Sequence, residues 1–121
     1  MSDRVPTGEW LRGVLETCVL QTMTDRPTYG YAIITALAAA GLGEIKGGTL
    51  YPLLARLEKK GLVSVEWRAG DGGPGRKYFA LTAAGREELK AAREQWGVFV
   101  TTVSTHLAVD VDREATQEVP R

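Results

Sequence analysis

Between residues 48 and 81 an amphipathic helical stretch runs directly into two strand-like runs separated by a glycine cluster, an order that few folds accommodate in so little chain. Leu50, Leu53, Leu54 and Leu57 recur every three or four residues, so residues 49–60 form a helix with one apolar face. Pro52 falls in its first turn, where no amide donor is needed, and Gly61 ends it. Leu62-Val63-Ser64-Val65-Glu66-Trp67 then has the composition and rough alternation of a strand. Residues 68–75 contain four glycines and Pro74, and Lys77-Tyr78-Phe79-Ala80-Leu81 is the return strand. A helix followed by a flexible hairpin is suited to duplex DNA, because a helix fits the major groove while a hairpin tip reaches neighbouring backbone or the minor groove. With the leucines on one side, Thr49, Tyr51, Arg56 and Lys59 are left on the others, free to donate to phosphates or base edges. Lys46 and the amides of residues 47–50 lie at the helix N-terminus, which itself favours phosphate.

The chain carries 15 basic and 15 acidic residues, and zero net charge at first argues against a polyanionic partner. Its distribution reverses that reading. Residues 46–78 hold seven bases (Lys46, Arg56, Lys59, Lys60, Arg68, Arg76 and Lys77) against three acids, while each flank is net acidic by two charges.

Upstream, Leu11, Val14, Leu15, Cys18, Val19 and Thr22 share one face of a helix over 9–23. Asp25-Arg26-Pro27-Thr28 supplies a turn, with Thr28 capping a second helix over 29–40 that ends at Gly41-Leu42-Gly43. Downstream, Thr82 caps a helix over 83–107. Its Leu89, Ala92, Trp96, Phe99, Val103 and Leu107 follow a near-heptad spacing. Such a helix would span on the order of 37 Å. That exceeds what a small core needs, so the stripe is read as a dimer interface. The polar, aperiodic end of the chain is read as a disordered tail. The expected organisation is a winged helix-turn-helix over 1–81, a dimerisation helix over 82–107 and a tail over 108–121. The fold class is mainly α, of the α+β kind.

These residues carry a family resemblance. Leu11-Arg12-Gly13, Tyr29-Gly30-Tyr31, Gly48-Thr49-Leu50-Tyr51-Pro52, Arg56-Leu57-Glu58 with Gly61-Leu62, Gly75-Arg76-Lys77-Tyr78 and Leu81-Thr82 resemble the PadR family of bacterial transcriptional regulators over about residues 10–107. The short C-terminal region is similar to the compact subgroup with one dimerising helix. The resemblance implies a sequence-specific regulator, a repressor released by an effector. It assigns DNA contacts to Tyr29, Thr49, Tyr51, Pro52 and Arg56, with Arg76 and Lys77 on the wing; Lys46 and Gly48 join them as DNA-binding candidates from their place at the helix N-terminus. Lys46-Gly47 departs from the Ser or Asn cap that many members show. Trp10 and Trp96 match positions that in some compact members face a central pore between protomers, where a small planar aromatic effector would stack. A homodimer places two reading helices on one duplex, so the operator is expected to be an inverted repeat.

Each assignment has a plainer counterpart. Trp96 at helical spacing is more often simple dimer packing, and both roles can hold at once. Arg76 and Lys77 would otherwise be a solvated hairpin tip, and Tyr29 and Tyr51 half-buried aromatics. Cys18 on an apolar face acts as a small hydrophobe, and His106 lies on the surface. With Cys18 and His106 the only residues of their kinds, no Cys/His metal site or disulfide framework forms within one chain, and no cofactor is expected. No nucleophile-base grouping or phosphate loop is present, so the chain does not read as an enzyme. With no signal-like N-terminus and no apolar run long enough for a membrane span, the expected location is the cytoplasm. The competing class is a winged-helix module for protein-protein contact, since fold alone does not fix function.

Overall fold

The computed structural model describes residues 8–70 and 73–110. Among them, five helices and a small sheet enclose a core supplied mainly by leucines. The elements are α1 (Glu9–Arg12), α2 (Leu15–Gln21), β1 (Thr28–Tyr29), α3 (Gly30–Ala39), α4 (Gly47–Lys59), β2 (Val63–Gly70), β3 (Gly73–Leu81) and α5 (Ala83–His106). The fold is mixed α+β, mainly helical, with one antiparallel sheet in the order β1-β3-β2.

The four leucines of α4 are buried as their spacing predicts, and they meet Val19 and Leu20 of α2, Ile33 and Leu37 of α3, Val63 and Phe79 of the sheet, and Leu89 of α5. Fully burying one such side chain contributes roughly 1.5–3 kcal/mol. This cluster therefore fixes how α4 is presented. Pro52 sits inside α4 without disturbing it, and α4 starts at Gly47, two residues ahead of the expected position.

Two expectations are corrected. The helix expected over 9–23 is broken after Arg12: Gly13 ends α1, Val14 leaves helical geometry (φ −130°, ψ 3°), and α2 starts at Leu15. Glycine inside a helix costs about 1 kcal/mol relative to alanine, and here the chain turns at it. The chain bends over 24–26 as expected, but the last residue of the expected turn, Thr28, opens a two-residue strand. Thr28 pairs with Phe79 and Tyr29 with Tyr78, and the residue at the N-cap of α3 is Tyr29, extended at φ −128° and ψ 167°, in place of Thr28.

The hairpin strands are longer than their sequence pattern indicates. Pairing runs from Val63–Leu81 through Trp67–Lys77 and Arg68–Arg76 to Gly70–Gly73, with an irregularity between Arg68 and Gly70. At the base of the hairpin, Thr82 ties wing to helix. Its hydroxyl donates to the Gly61 carbonyl at 2.6 Å and accepts from the Gly85 amide at 3.0 Å, the expected cap, while its own amide donates to the Leu62 carbonyl at 3.1 Å. Gly85 packs directly on that carbonyl, leaving no room for a Cβ. Of the expected tail, residues 111–121 lie outside the described residues.

Candidate nucleic-acid interface

With its leucines turned inward, α4 exposes a ridge of Gly48, Pro52, Ala55 and Lys59. Tyr51 flanks the ridge on the side of α3. Its ring passes so close to Gly30 that a Cβ there would lie 2.6 Å from Cζ, and a Cβ at Gly47 would lie 3.3 Å from the ring edge. Two glycines thus make the slot that holds Tyr51.

Beyond Tyr51 a cleft of about 230 Å³ is lined by Tyr29, Tyr31, Tyr51, Arg76, Lys77 and Phe79. Four of the expected contact residues, Tyr29, Tyr51, Arg76 and Lys77, therefore converge although they are far apart in sequence. The reason is β1, which places Tyr29 directly beside Tyr78 on the wing. The two tyrosine rings meet edge to face at 5.3 Å. The Arg76 guanidinium lies 4.4 Å over the Tyr29 ring, and that of Arg68 lies 4.3 Å over Tyr78. Arg68 and Arg76 face each other across the hairpin, an arrangement that like charges ordinarily disfavour. Each stacked ring returns about 0.5–1 kcal/mol at such exposed positions. Glu66, 3.5 Å from the Arg68 Nε, offsets the rest. The result is a cationic ladder of Arg68, Tyr78, Tyr29 and Arg76 across the sheet.

The other expected residues lie elsewhere. Lys46 and Thr49 line a separate hollow of about 430 Å³ with Arg12, Glu44 and Ile45, beside the first turn of α4. Lys46 is the N-cap and no side chain caps the helix there. Gly48 and Pro52 stand on the ridge. Arg56 is turned toward α2, where its Nε lies 3.6 Å from Glu16 Oε2. Sequence reasoning passed over Ala55 on the ridge, Tyr31 in the cleft, and Arg68 and Tyr78 in the ladder. Folding the hairpin about its glycines on paper would have set Arg68 opposite Arg76. It also passed over Trp67, exposed across from Lys77.

A helix packed by its leucines, an exposed ridge and a basic wing are the parts of a winged helix-turn-helix, and the sequence pattern of the transcriptional regulator PadR-like family matches residues 19–91. The chain belongs to this family. It is 36% identical over 85 residues to the transcriptional regulator Rv3488 of Mycobacterium tuberculosis, covering 70% of this chain and 78% of that one. Among solved structures, a PadR family regulator from Eggerthella lenta is 38% identical with a TM-score of 0.76, covering 84% of this chain and 88% of that one. A PadR-like regulator from Bacillus cereus is 36% identical with a TM-score of 0.75, covering 85% and 100%. PadR-like proteins are DNA-binding transcriptional regulators and not enzymes.

In this PadR-like chain the stripe along α5 divides in two. Leu89 is only 4% exposed, buried in its own chain's core, and Ala92 is half-buried beside α2. From Trp96 onward the stripe is mostly open: Trp96 is 46% exposed, Phe99 and Leu107 more so, and Val103 is half-buried. The Trp96 and Phe99 rings are 6.1 Å apart. Trp96 also borders an apolar cavity of about 500 Å³ between α2, α3 and α5, with Val14, Cys18, Leu37, Ala40 and Arg93 among its other walls. Burial pushes the Cys18 thiol up, which keeps it protonated and a poor nucleophile at neutral pH. Trp10, 78% exposed on α1, does not line that cavity, so a single chain does not bring the two tryptophans together. His106 is exposed at the end of α5. No helix among the described residues is long and apolar enough to cross a membrane.

Proposed function

We propose that this regulator is a cytoplasmic homodimeric repressor that binds an inverted-repeat operator. In this reading residues 1–81 form the reading head and residues 82–107 the dimerisation helix. The observation that carries it is the convergence of Tyr29, Tyr51, Arg76 and Lys77 in one cleft beside the exposed ridge of α4. The ridge enters the major groove, Lys46 and Thr49 meet phosphate at the helix entry, and the wing reaches the adjoining backbone. Two heads related by a twofold axis read half-sites about 34–36 Å apart, or a multiple of that. Footprinting on the region upstream of its own gene tests this: two protected half-sites in inverted orientation are expected. A monomer in solution, or no protection at low salt, would overturn it.

Arg76→Ala and Lys77→Ala are each expected to weaken binding to every duplex sequence and to lower the salt slope by about 1 per lost phosphate contact. A slope that stays put for one variant removes that residue from the phosphate-contacting set.

The interface is also the proposed effector site. A planar aromatic compound would lie against Trp96, with Trp10 brought up by the partner subunit, and change the spacing of the heads. The open faces of both tryptophans favour this reading. Titration with planar aromatics is expected to quench tryptophan emission in the wild type and much less in Trp96→Leu. By linkage, saturating operator must weaken the ligand by the same factor that the ligand weakens the operator. Unchanged emission across a broad panel would remove the effector from the scheme.

A further inference from the structure

Glu16, on the first turn of α2, faces two bases of the reading helix at once. Its Oε2 lies 3.6 Å from the Arg56 Nε and its Oε1 lies 3.4 Å from the Lys60 Nζ. We propose that Glu16 is an electrostatic brake on DNA binding, holding Arg56 and Lys60 against α2 in the free protein and yielding them to phosphate when a duplex docks. The proposal rests on the DNA-binding reading of α4 and adds a residue that controls its strength.

Geometry and exposure both point this way. Arg56 and Lys60 are one turn apart on the flank of α4 next to α2, beside the ridge of Pro52, Ala55 and Lys59. Both separations are long for a charge-assisted hydrogen bond, which is about 2.7–2.9 Å. Both bases are more than half exposed and Glu16 is about a third exposed, so solvent screens the pairs and a competing anion can exchange for the carboxylate. A phosphate offers the same acceptor geometry with the field of a whole duplex behind it. Glu16 is not a passive neighbour in that exchange. It shares a hollow with Glu88 of α5 and with Lys60, so a duplex that draws off Lys60 leaves two carboxylates lining it without that base. That cost opposes docking on any sequence. The brake therefore lowers affinity for random and cognate DNA together and leaves their ratio alone.

The test is a double-mutant cycle read by fluorescence anisotropy at low salt, using a random-sequence duplex and the upstream region of the protein's own gene. Glu16→Gln keeps the shape of the side chain, and a thermal melt confirms that it folds. It should tighten both duplexes by about threefold to tenfold, the range two exposed ion pairs can supply. Glu16→Lys should tighten them further, and the gain should shrink as salt rises. In a chain carrying Arg56→Ala and Lys60→Ala, Glu16→Gln should change nothing. Equal affinities of wild type and Glu16→Gln would overturn the brake. So would a gain that persists in full without the two bases, which would mean a general charge effect. A wild type that retains neither duplex would overturn the DNA reading as well, whereas normal wild-type binding with an unresponsive Glu16→Gln would sink the brake alone.

Discussion

A chain carrying both Phe99→Glu and Val103→Glu is expected to fold, to sediment as a monomer and to bind its operator at least about a hundredfold more weakly than the wild type. The first expectation follows from where these side chains lie. Phe99 is well exposed and Val103 only half-buried, so one chain loses little when they become charged. In the proposed dimer the same positions meet their symmetry mates, and unpaired carboxylates held out of water there cost several kcal/mol each. The affinity loss comes from geometry. A second head tethered to a bound first one acts at an effective concentration that can raise avidity by about 10² to 10⁴, and dissociation forfeits all of it. Sedimentation and anisotropy on the same sample decide the matter. A doubly substituted chain that stays dimeric would move the interface off the Trp96 stripe. One that is monomeric yet binds at full strength would end the two-headed scheme.

The second large effect is at the junction of wing and helix. Gly85→Ala is expected to destabilise the chain by about 2–3 kcal/mol, although alanine is the better helix former by about 1 kcal/mol. A Cβ at this position lands on the Leu62 carbonyl oxygen, and lies 3.0 Å from Leu62 C and 3.1 Å from Leu81 Cδ2. Neither neighbour can withdraw cheaply. The Leu62 carbonyl receives the Thr82 amide, and the preceding carbonyl receives the Thr82 hydroxyl. At about 4 °C per kcal/mol for a chain of this size, the midpoint should fall by roughly 8–12 °C. Gly97→Ala is the internal control, since a Cβ there meets nothing in the chain within 4 Å. It should raise the midpoint slightly, by about 0.5–1 kcal/mol of stability. Equal melting of Gly85→Ala and wild type would mean that the junction is looser than its hydrogen bonds indicate.

The legible part of this fold is the part governed by neighbours in sequence. The leucines of α4 announced both the helix and its buried face, Thr82 announced its cap, and the glycines after Arg68 announced a hairpin. Each is a local signal with a local cause. Thr28 and Tyr29 gave no such signal, because a two-residue strand has no period of its own and exists only through Tyr78 and Phe79, far along the chain. That short pairing is nonetheless what draws Tyr29 to the wing and builds the cleft. Gly13 was visible but outweighed by an unbroken run of apolar spacing on either side. Leu89 shows the limit of periodicity from another direction: spacing puts it on the same stripe as Trp96, but cannot say that one faces its own core and the other faces outward. Arg56 was singled out by residue type and position, while the carboxylate that holds it lies on α2 and enters only in three dimensions.

The clamp at Thr82 has a mechanical side. Because the base of the wing is hydrogen-bonded to the start of α5, the head is tied to that helix, and in the proposed dimer the two would turn as a single arm. From Ala83 to His106 the arm is roughly 36 Å long. A tilt of about five degrees at its far end would swing the head by about 3 Å, close to the 3.4 Å rise of one base step. In the proposed dimer, a molecule no thicker than an aromatic ring, wedged at the seam, would then be enough to put the two heads out of step with the grooves of a duplex.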